Sequence, residues 1–327
     1  MRALALAVLL GCGGASTPGT AEPTAIGASA ELRAQERREA DGPVGASLAA
    51  MAEADLTTEE GLEVLSFSAA SVFAMATFTL ALQAHAGEPT DCIEREHSET
   101  ADGTRTVVRA NECPRDDTPE RRMTGELIIE TREQSCGEWV GLTLGSWSIV
   151  DDRHCGSTEH PKGTRIFQGR ILSNECGNTM SIELLISGDG WEERDGVCQP
   201  MRETALRYEL SHGADGLEGA APMNGRGEVG IAGAGRARVE TIDEVLGRQD
   251  CRTEAESGVT RASAGGHVAE VTYDGATECS NPGSAPYTLD GQPAGRTEHA
   301  CATGGTPSAF ALPCVVLLLL LRRRSRT

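Results

Sequence analysis

Thr164-Arg165-Ile166-Phe167-Gln168-Gly169-Arg170-Ile171-Leu172, followed after a short turn by Met180-Ser181-Ile182-Glu183-Leu184-Leu185-Ile186-Ser187, decides the fold class of this chain. Both runs are short, rich in β-branched residues and close to period two, which marks strands with one buried face. The same grain extends outward through residues 104–109, 125–131 and 140–150 on one side, and 206–211, 237–246, 267–273 and 285–289 on the other. Polar turns separate these runs, among them Asp102-Gly103, Asp189-Gly190, Asp195-Gly196, Asp274-Gly275 and Asp290-Gly291, where glycine and aspartate supply the backbone freedom a tight reversal needs. Strands at roughly 20-residue spacing without intervening helices predict a mainly β (α+β) fold, a curved antiparallel meander. The Gly-rich stretch 213–235 divides it into β regions at 89–215 and 216–303.

One helix is expected ahead of the strands. Thr57 and Glu60 read as a capping box, and Gly87 with Pro89 as a stop, which frames a long apolar helix over 56–88. Leu62, Leu65, Ala69, Val72, Phe73, Ala76 and Leu80 form one stripe, while Phe67, Ala70, Ala74, Phe78 and Leu82 fall outside it. Such a helix must be buried on most sides, and packing on a face of the curved sheet achieves that. Residues 65–82 carry no charge, but Ser66, Ser68, Ser71, Thr77 and Thr79 make them a buried helix rather than a membrane span.

Nine internal cysteines remain when Cys12 and Cys314 are set aside: Cys92, Cys113, Cys136, Cys155, Cys176, Cys198, Cys251, Cys279 and Cys301. None forms a Cys-x-x-Cys pair, so their wide, regular spacing indicates disulfides in an oxidising compartment rather than zinc. Pairing sequence neighbours, Cys92 with Cys113, Cys136 with Cys155, Cys176 with Cys198 and Cys251 with Cys279, is the simplest arrangement; Cys279 with Cys301 is a rival. With only three Trp, three Tyr and five Phe, the core is poor in aromatics and the disulfides compensate.

The two ends give an address. Met1-Arg2, the apolar run 3–10 and Leu9-Leu10-Gly11-Cys12 read as a signal peptide over 1–11, and the Leu-Leu-Gly-Cys sequence resembles the lipobox of bacterial lipoproteins. That resemblance makes Cys12 the lipidated first mature residue, followed by a disordered tether over 12–55 whose Gly, Ala, Ser, Thr and Pro content lacks an apolar period. At the other end, residues 304–327 combine a Gly/Thr/Pro spacer, a short apolar run and Arg322, Arg323, Arg324 and Arg326. Thirteen apolar residues interrupted by Pro313 fall short of the roughly 20 an ordinary spanning helix needs. The combination is similar to the C-terminal sorting tails of myxobacterial surface proteins, in which a cysteine, here Cys301, precedes the apolar run. Residues from Cys251-Arg252-Thr253-Glu254 through Gly265-Gly266-His267, Val271-Thr272-Tyr273-Asp274-Gly275 and Leu289-Asp290-Gly291 are similar to segments of secreted myxobacterial-type lipoproteins. The resemblance implies architecture and an outer-membrane or cell-surface location, and no activity.

Composition narrows the partners. The chain carries 29 Lys+Arg against 49 Asp+Glu, a formal charge of -20. Residues 1–11 and the tail hold five of those arginines and no acid, so the remainder is more acidic still. Nucleic acid and anionic headgroups are repelled by such a surface. Gly225-Arg226-Gly227-Glu228-Val229-Gly230 matches a dinucleotide fingerprint but lacks the preceding apolar strand and following helix that motif requires. Asp151, Asp152, His154, Cys155 and His160 form the densest ligand-like cluster, and Asp189, Glu192, Glu193 and Asp195 an acidic turn. Neither has the spacing of a known metal site, and no Gly-x-Ser-x-Gly elbow is present. The sequence therefore predicts a non-enzymatic envelope module with no cofactor or metal, bound to the membrane by its lipid anchor or tail and to an unknown protein partner. The alternative expectation is a carrier holding an apolar ligand between the helix and the curved sheet.

Overall fold

A computed structural model describes residues 42–69, 71–73, 75, 92–115, 118–152, 154–156, 160, 162–194, 197–212, 222–246, 255–275 and 285–297. The strands are β1 (Ile93–Thr100), β2 (Gly103–Arg115), β3 (Thr118–Gln134), β4 (Gly137–Asp151), β5 (Thr164–Asn174), β6 (Thr179–Asp189), β7 (Trp191–Arg194), β8 (Val197–Pro200), β9 (Thr204–His212), β10 (Met223–Ile231), β11 (Gly235–Leu246), β12 (Ala255–Ala264), β13 (His267–Thr272), β14 (Ala285–Leu289) and β15 (Gln292–Thr297). Thirteen of them form one antiparallel sheet in chain order, and β7 with β8 makes a separate hairpin inserted between β6 and β9. The fold is mainly β, as the alternating runs predict.

Period-two alternation gives the sheet an apolar inner face. One cross-strand row runs Leu142, Ile171, Ile182, Tyr208, Gly227, Val239, Ala262 and Ala269, each opposite the next. Apart from Gly227, every residue in that row is buried. Each fully buried Leu or Ile contributes roughly 1.5–3 kcal/mol, and opposing pairs add packing between neighbours. A bulge between Leu144 and Trp147 in β4 resets the alternation, so that Trp147 and Ile149 also face the core.

The N-terminal segment uses both faces. Helix α1 (Pro43–Ala50) lies on the outer face, where Val44 and Leu48 meet Leu185 and Ala205. The chain then passes the end of β11: the Arg236 N–H donates to the Ala52 carbonyl and the Ala54 N–H to the Arg236 carbonyl, both at 2.8 Å. Beyond that point Leu56, Leu62, Val64, Leu65, Ala69 and Val72 join the inner core. Residues 42–56 are thus part of the folded unit, a correction to the expectation that the tether reaches residue 55. Alternating apolar and small residues there find partners on the sheet that a local reading cannot supply.

The long helix over 56–88 is also corrected. Helix α2 spans only Glu59–Leu62 and gives way to a 3-10 turn over Glu63–Ser66. Its cap is Thr58, whose hydroxyl accepts the Gly61 N–H at 3.1 Å; Thr57 instead donates its hydroxyl to Asp55 at 2.6 Å. Serines break the helix by offering the backbone other partners. The Ser66 hydroxyl donates to the Glu63 carbonyl at 2.7 Å, and the Ser71 hydroxyl to the carbonyls of Ser66 at 2.7 Å and Ser68 at 2.9 Å. Residues 76–88 of the expected helix lie outside the described residues. Among the described residues no helix is long and apolar enough to cross a membrane.

Three disulfides are formed: Cys92–Cys113, Cys136–Cys176 and Cys155–Cys198, with Cα separations of 5.4, 5.2 and 5.8 Å. The first is the neighbour pairing; the other two correct it. Cys136 precedes β4 and Cys155 follows it, and 15 residues of extended chain at about 3.3 Å each hold these cysteines tens of ångströms apart. In a meander, alternate turns share an end of the sheet. The β3–β4 turn therefore meets the 3-10 turn Glu175–Gly177 between β5 and β6, and Cys136 meets Cys176. The expected division into two β regions also gives way, since β9 and β10 pair directly from Thr204 opposite Ile231 to His212 opposite Met223. Cys12, Cys251, Cys279 and Cys301, with the signal and tail, lie outside the described residues.

Candidate binding surface

The outer face carries charge where the inner face carries apolar side chains. Glu209 on β9 stands opposite Arg226 on β10, which stands opposite Glu240 on β11, then Arg261 on β12 and Glu270 on β13. Arg226 reaches Glu209 at 3.5 Å; Arg261 reaches Glu240 at 3.5 Å and Glu270 at 2.6 Å. In a second row Arg207 stands opposite Glu183, which it reaches at 2.8 Å, and opposite Glu228, which Arg236 reaches diagonally at 2.8 Å. Exposed pairs of this kind are each worth about 0–1 kcal/mol. They keep a broad polar face wet while matching sign strand by strand.

Beneath it the inner face holds a chain of hydroxyls. Tyr208 and Thr241 share a hydrogen bond of 2.9 Å, Thr241 and Thr260 one of 3.3 Å, and Thr260 and Tyr273 one of 2.9 Å. The Ala69 N–H donates to the Thr241 hydroxyl at 3.1 Å, which ties the N-terminal segment to the sheet. Burial pushes the Tyr208 phenol well above its ordinary value, against the lowering effect of its Thr241 bond and with help from the Glu244 and Glu240 carboxylates. The phenol stays protonated and serves as a structural hydrogen-bonding group.

The Gly225/Gly227/Gly230 pattern explains how Tyr208 gets there. A Cβ at Gly225 would run into the Tyr208 ring, one at Gly227 first into the Arg207 carbonyl and then into that ring, and one at Gly230 into Met51 beside α1. The glycines of β10 therefore let the Tyr208 ring cross from β9 to Thr241 on β11 and let α1 approach the outer face. This is the close-approach role glycine plays inside strands, and it accounts for the motif without a nucleotide.

The ligand-like cluster is dispersed into structural contacts. Cys155 is bonded to Cys198, Asp151 pairs with Arg121 at 3.4 Å, and the His160 ring stacks on Trp191 at 3.9 Å between centroids. In the acidic turn, Asp189 accepts the Thr164 N–H at 3.2 Å and Glu192 pairs with Arg165 at 2.8 Å; Asp195 lies outside the described residues. These contacts fasten the β7–β8 hairpin to the start of β5. Val197, 56% exposed, sits at its tip.

A further polar group, missed by motif reading, sits at the rim where the N-terminal segment enters. His267 Nδ1 lies 2.7 Å from Asp290 Oδ2, and Asp290 Oδ1 accepts the Val268 N–H at 2.9 Å. The His267 bond first, then the Val268 bond, hold the Asp290 carboxyl below its usual range. Asp55 is likewise lowered, chiefly by its bonds from Thr57 and with a smaller contribution from His267. Glu53 accepts the Gly265 N–H at 3.0 Å, so this rim clasps the N-terminal segment to the β12–β13 turn.

Among the described residues, no three His, Cys, Asp or Glu side chains converge as metal ligands. The space an apolar ligand would take between segment and sheet is filled by Leu65, Ala69, Val72 and the residues around them. Comparison with protein families, curated proteins and solved structures finds no match to this chain.

Proposed function

We propose that this protein is an exported cell-envelope lipoprotein acting as a non-enzymatic surface module, which presents its polar sheet face to a partner while Cys12 or the C-terminal tail holds it to the membrane. The observation that carries the reading is the set of three disulfides, which form and persist in oxidising compartments. The extended outer face, solvated and charge-matched, adds support, because it offers a large surface for a partner. The carrier alternative draws less support, since the chain's own segment occupies the inner face. Intact mass spectrometry of the protein from its native envelope tests the proposal. A mass consistent with loss of residues 1–11 and acylation at Cys12 is expected; an unmodified N-terminus in a soluble fraction would overturn it.

A further inference from the structure

Resting on the surface-module reading, we infer that the outer face binds a neutral glycan chain. An open groove of about 610 Å³ lies over β5, β6, β9, β10 and β11, within the usual range for ligand sites. Two cross-strand rows form its floor. In one, Leu172 stands opposite Ser181, then Glu209, Arg226 and Glu240; its charges face charges of opposite sign. In the other, Asn174 stands opposite Thr179 and then Ser211, and Trp139 lies next to Asn174 on β4, just outside the groove's lining.

The groups left over are uncharged. Asn174 Oδ1 accepts the Cys176 N–H at 3.1 Å, while its amide NH2 and the hydroxyls of Thr179, Ser181 and Ser211 have no hydrogen bond among the described residues. They stand on neighbouring strands about 4.8 Å apart, held by the sheet on its outer face. At the end of the row the Trp139 ring sits over Gly141, where a Cβ would overlap it, and the Arg132 guanidinium lies 4.6 Å from its centroid. Repeating neutral donors and acceptors beside an indole match a ligand with hydroxyl edges and apolar C–H faces. The acidic chain and the internally matched ions disfavour a polyanion. A peptide adding to a sheet needs an edge strand, and this is a face.

The test is an amide-resolved NMR titration of the full oxidised protein with neutral hexasaccharides of β-1,4-glucose, β-1,4-N-acetylglucosamine and α-1,4-glucose, and with polygalacturonate as the anionic arm. Saturable shifts at Asn174, Thr179, Ser181 and Ser211 with at least one neutral hexasaccharide are expected. Trp139→Ala and Thr179→Val/Ser181→Ala should each weaken that binding at least fivefold, with the urea midpoint unchanged. The inference is overturned by silence up to about 10 mM sugar, a range that still detects millimolar affinity. Shifts indifferent to both variants, or tighter binding of polygalacturonate, would also overturn it. A silent groove in a protein found acylated in the envelope would remove the glycan and leave the module reading standing.

Discussion

Thr241→Val cuts the node that joins the N-terminal segment to the sheet. The Thr241 hydroxyl serves Ala69, Tyr208 and Thr260 at 3.1, 2.9 and 3.3 Å, and Thr241 is 1% exposed. Valine keeps the volume and removes the hydroxyl, which leaves the Ala69 N–H and the Tyr208 hydroxyl buried without that partner. Each orphaned group costs about 1–3 kcal/mol, and the added methyl returns under 1 kcal/mol. The expected loss is about 2–4 kcal/mol, read by urea unfolding through the fluorescence of buried Trp147. Tyr208→Phe alone should cost about 1 kcal/mol. In the double variant Tyr208→Phe should cost nothing, because the orphaned phenol is already the penalty, giving a coupling energy of about 1 kcal/mol. Additive losses, or a Thr241→Val loss under about 0.5 kcal/mol, would refute the claim that this hydroxyl holds the segment in the core.

Other consequences are accessible to the same unfolding assay. Gly225→Ala should destabilise by about 1–3 kcal/mol through overlap with the Tyr208 ring, and Tyr208→Leu should relieve much of that loss; equal loss in both backgrounds would contradict the contact. Removing Cys136–Cys176, which closes 40 residues, should cost about 4 kcal/mol, and removing Cys92–Cys113, which closes 21, about 3 kcal/mol. Asp290 has a lowered folded pKa, so its stabilisation is complete above its ordinary value of 3.8 and disappears as pH falls through the folded value. Asp290→Asn should therefore flatten the stability profile below about pH 4. Arg226→Ala, on the exposed ladder, should cost no more than about 1 kcal/mol, with the difference shrinking in 1 M salt.

How far these features were legible depends on what each signal encodes. Residues 285–289 read as a strand and β14 covers the same residues; 164–172 and 206–211 fall two or three residues short of β5 and β9. The strands passed over have reasons of their own. β1 is Ile93 followed by mostly charged and polar residues, as suits an edge that must not recruit neighbours. β10 contains Gly225, Gly227 and Gly230, which lower strand propensity and matter only once the Tyr208 ring is placed across them. β15 carries Pro293 and Gly295. The helix over 56–88 failed because apolar content shows that a segment is buried, not that it is helical, and its serines supply competing backbone bonds. Disulfide partners failed for a topological reason, since the end of the sheet at which each turn lies is fixed only when strand order is known. The outer-face rows share that limit: Glu209, Arg226, Glu240 and Arg261 are unremarkable in sequence and become a ladder through register.

A non-reducing peptide map of the protein taken from its native envelope tests most directly the claim of an exported, oxidised thirteen-strand sheet. Linked peptides joining Cys92 to Cys113, Cys136 to Cys176 and Cys155 to Cys198 are predicted. Free thiols at these six positions, or a Cys136–Cys155 link, would contradict it.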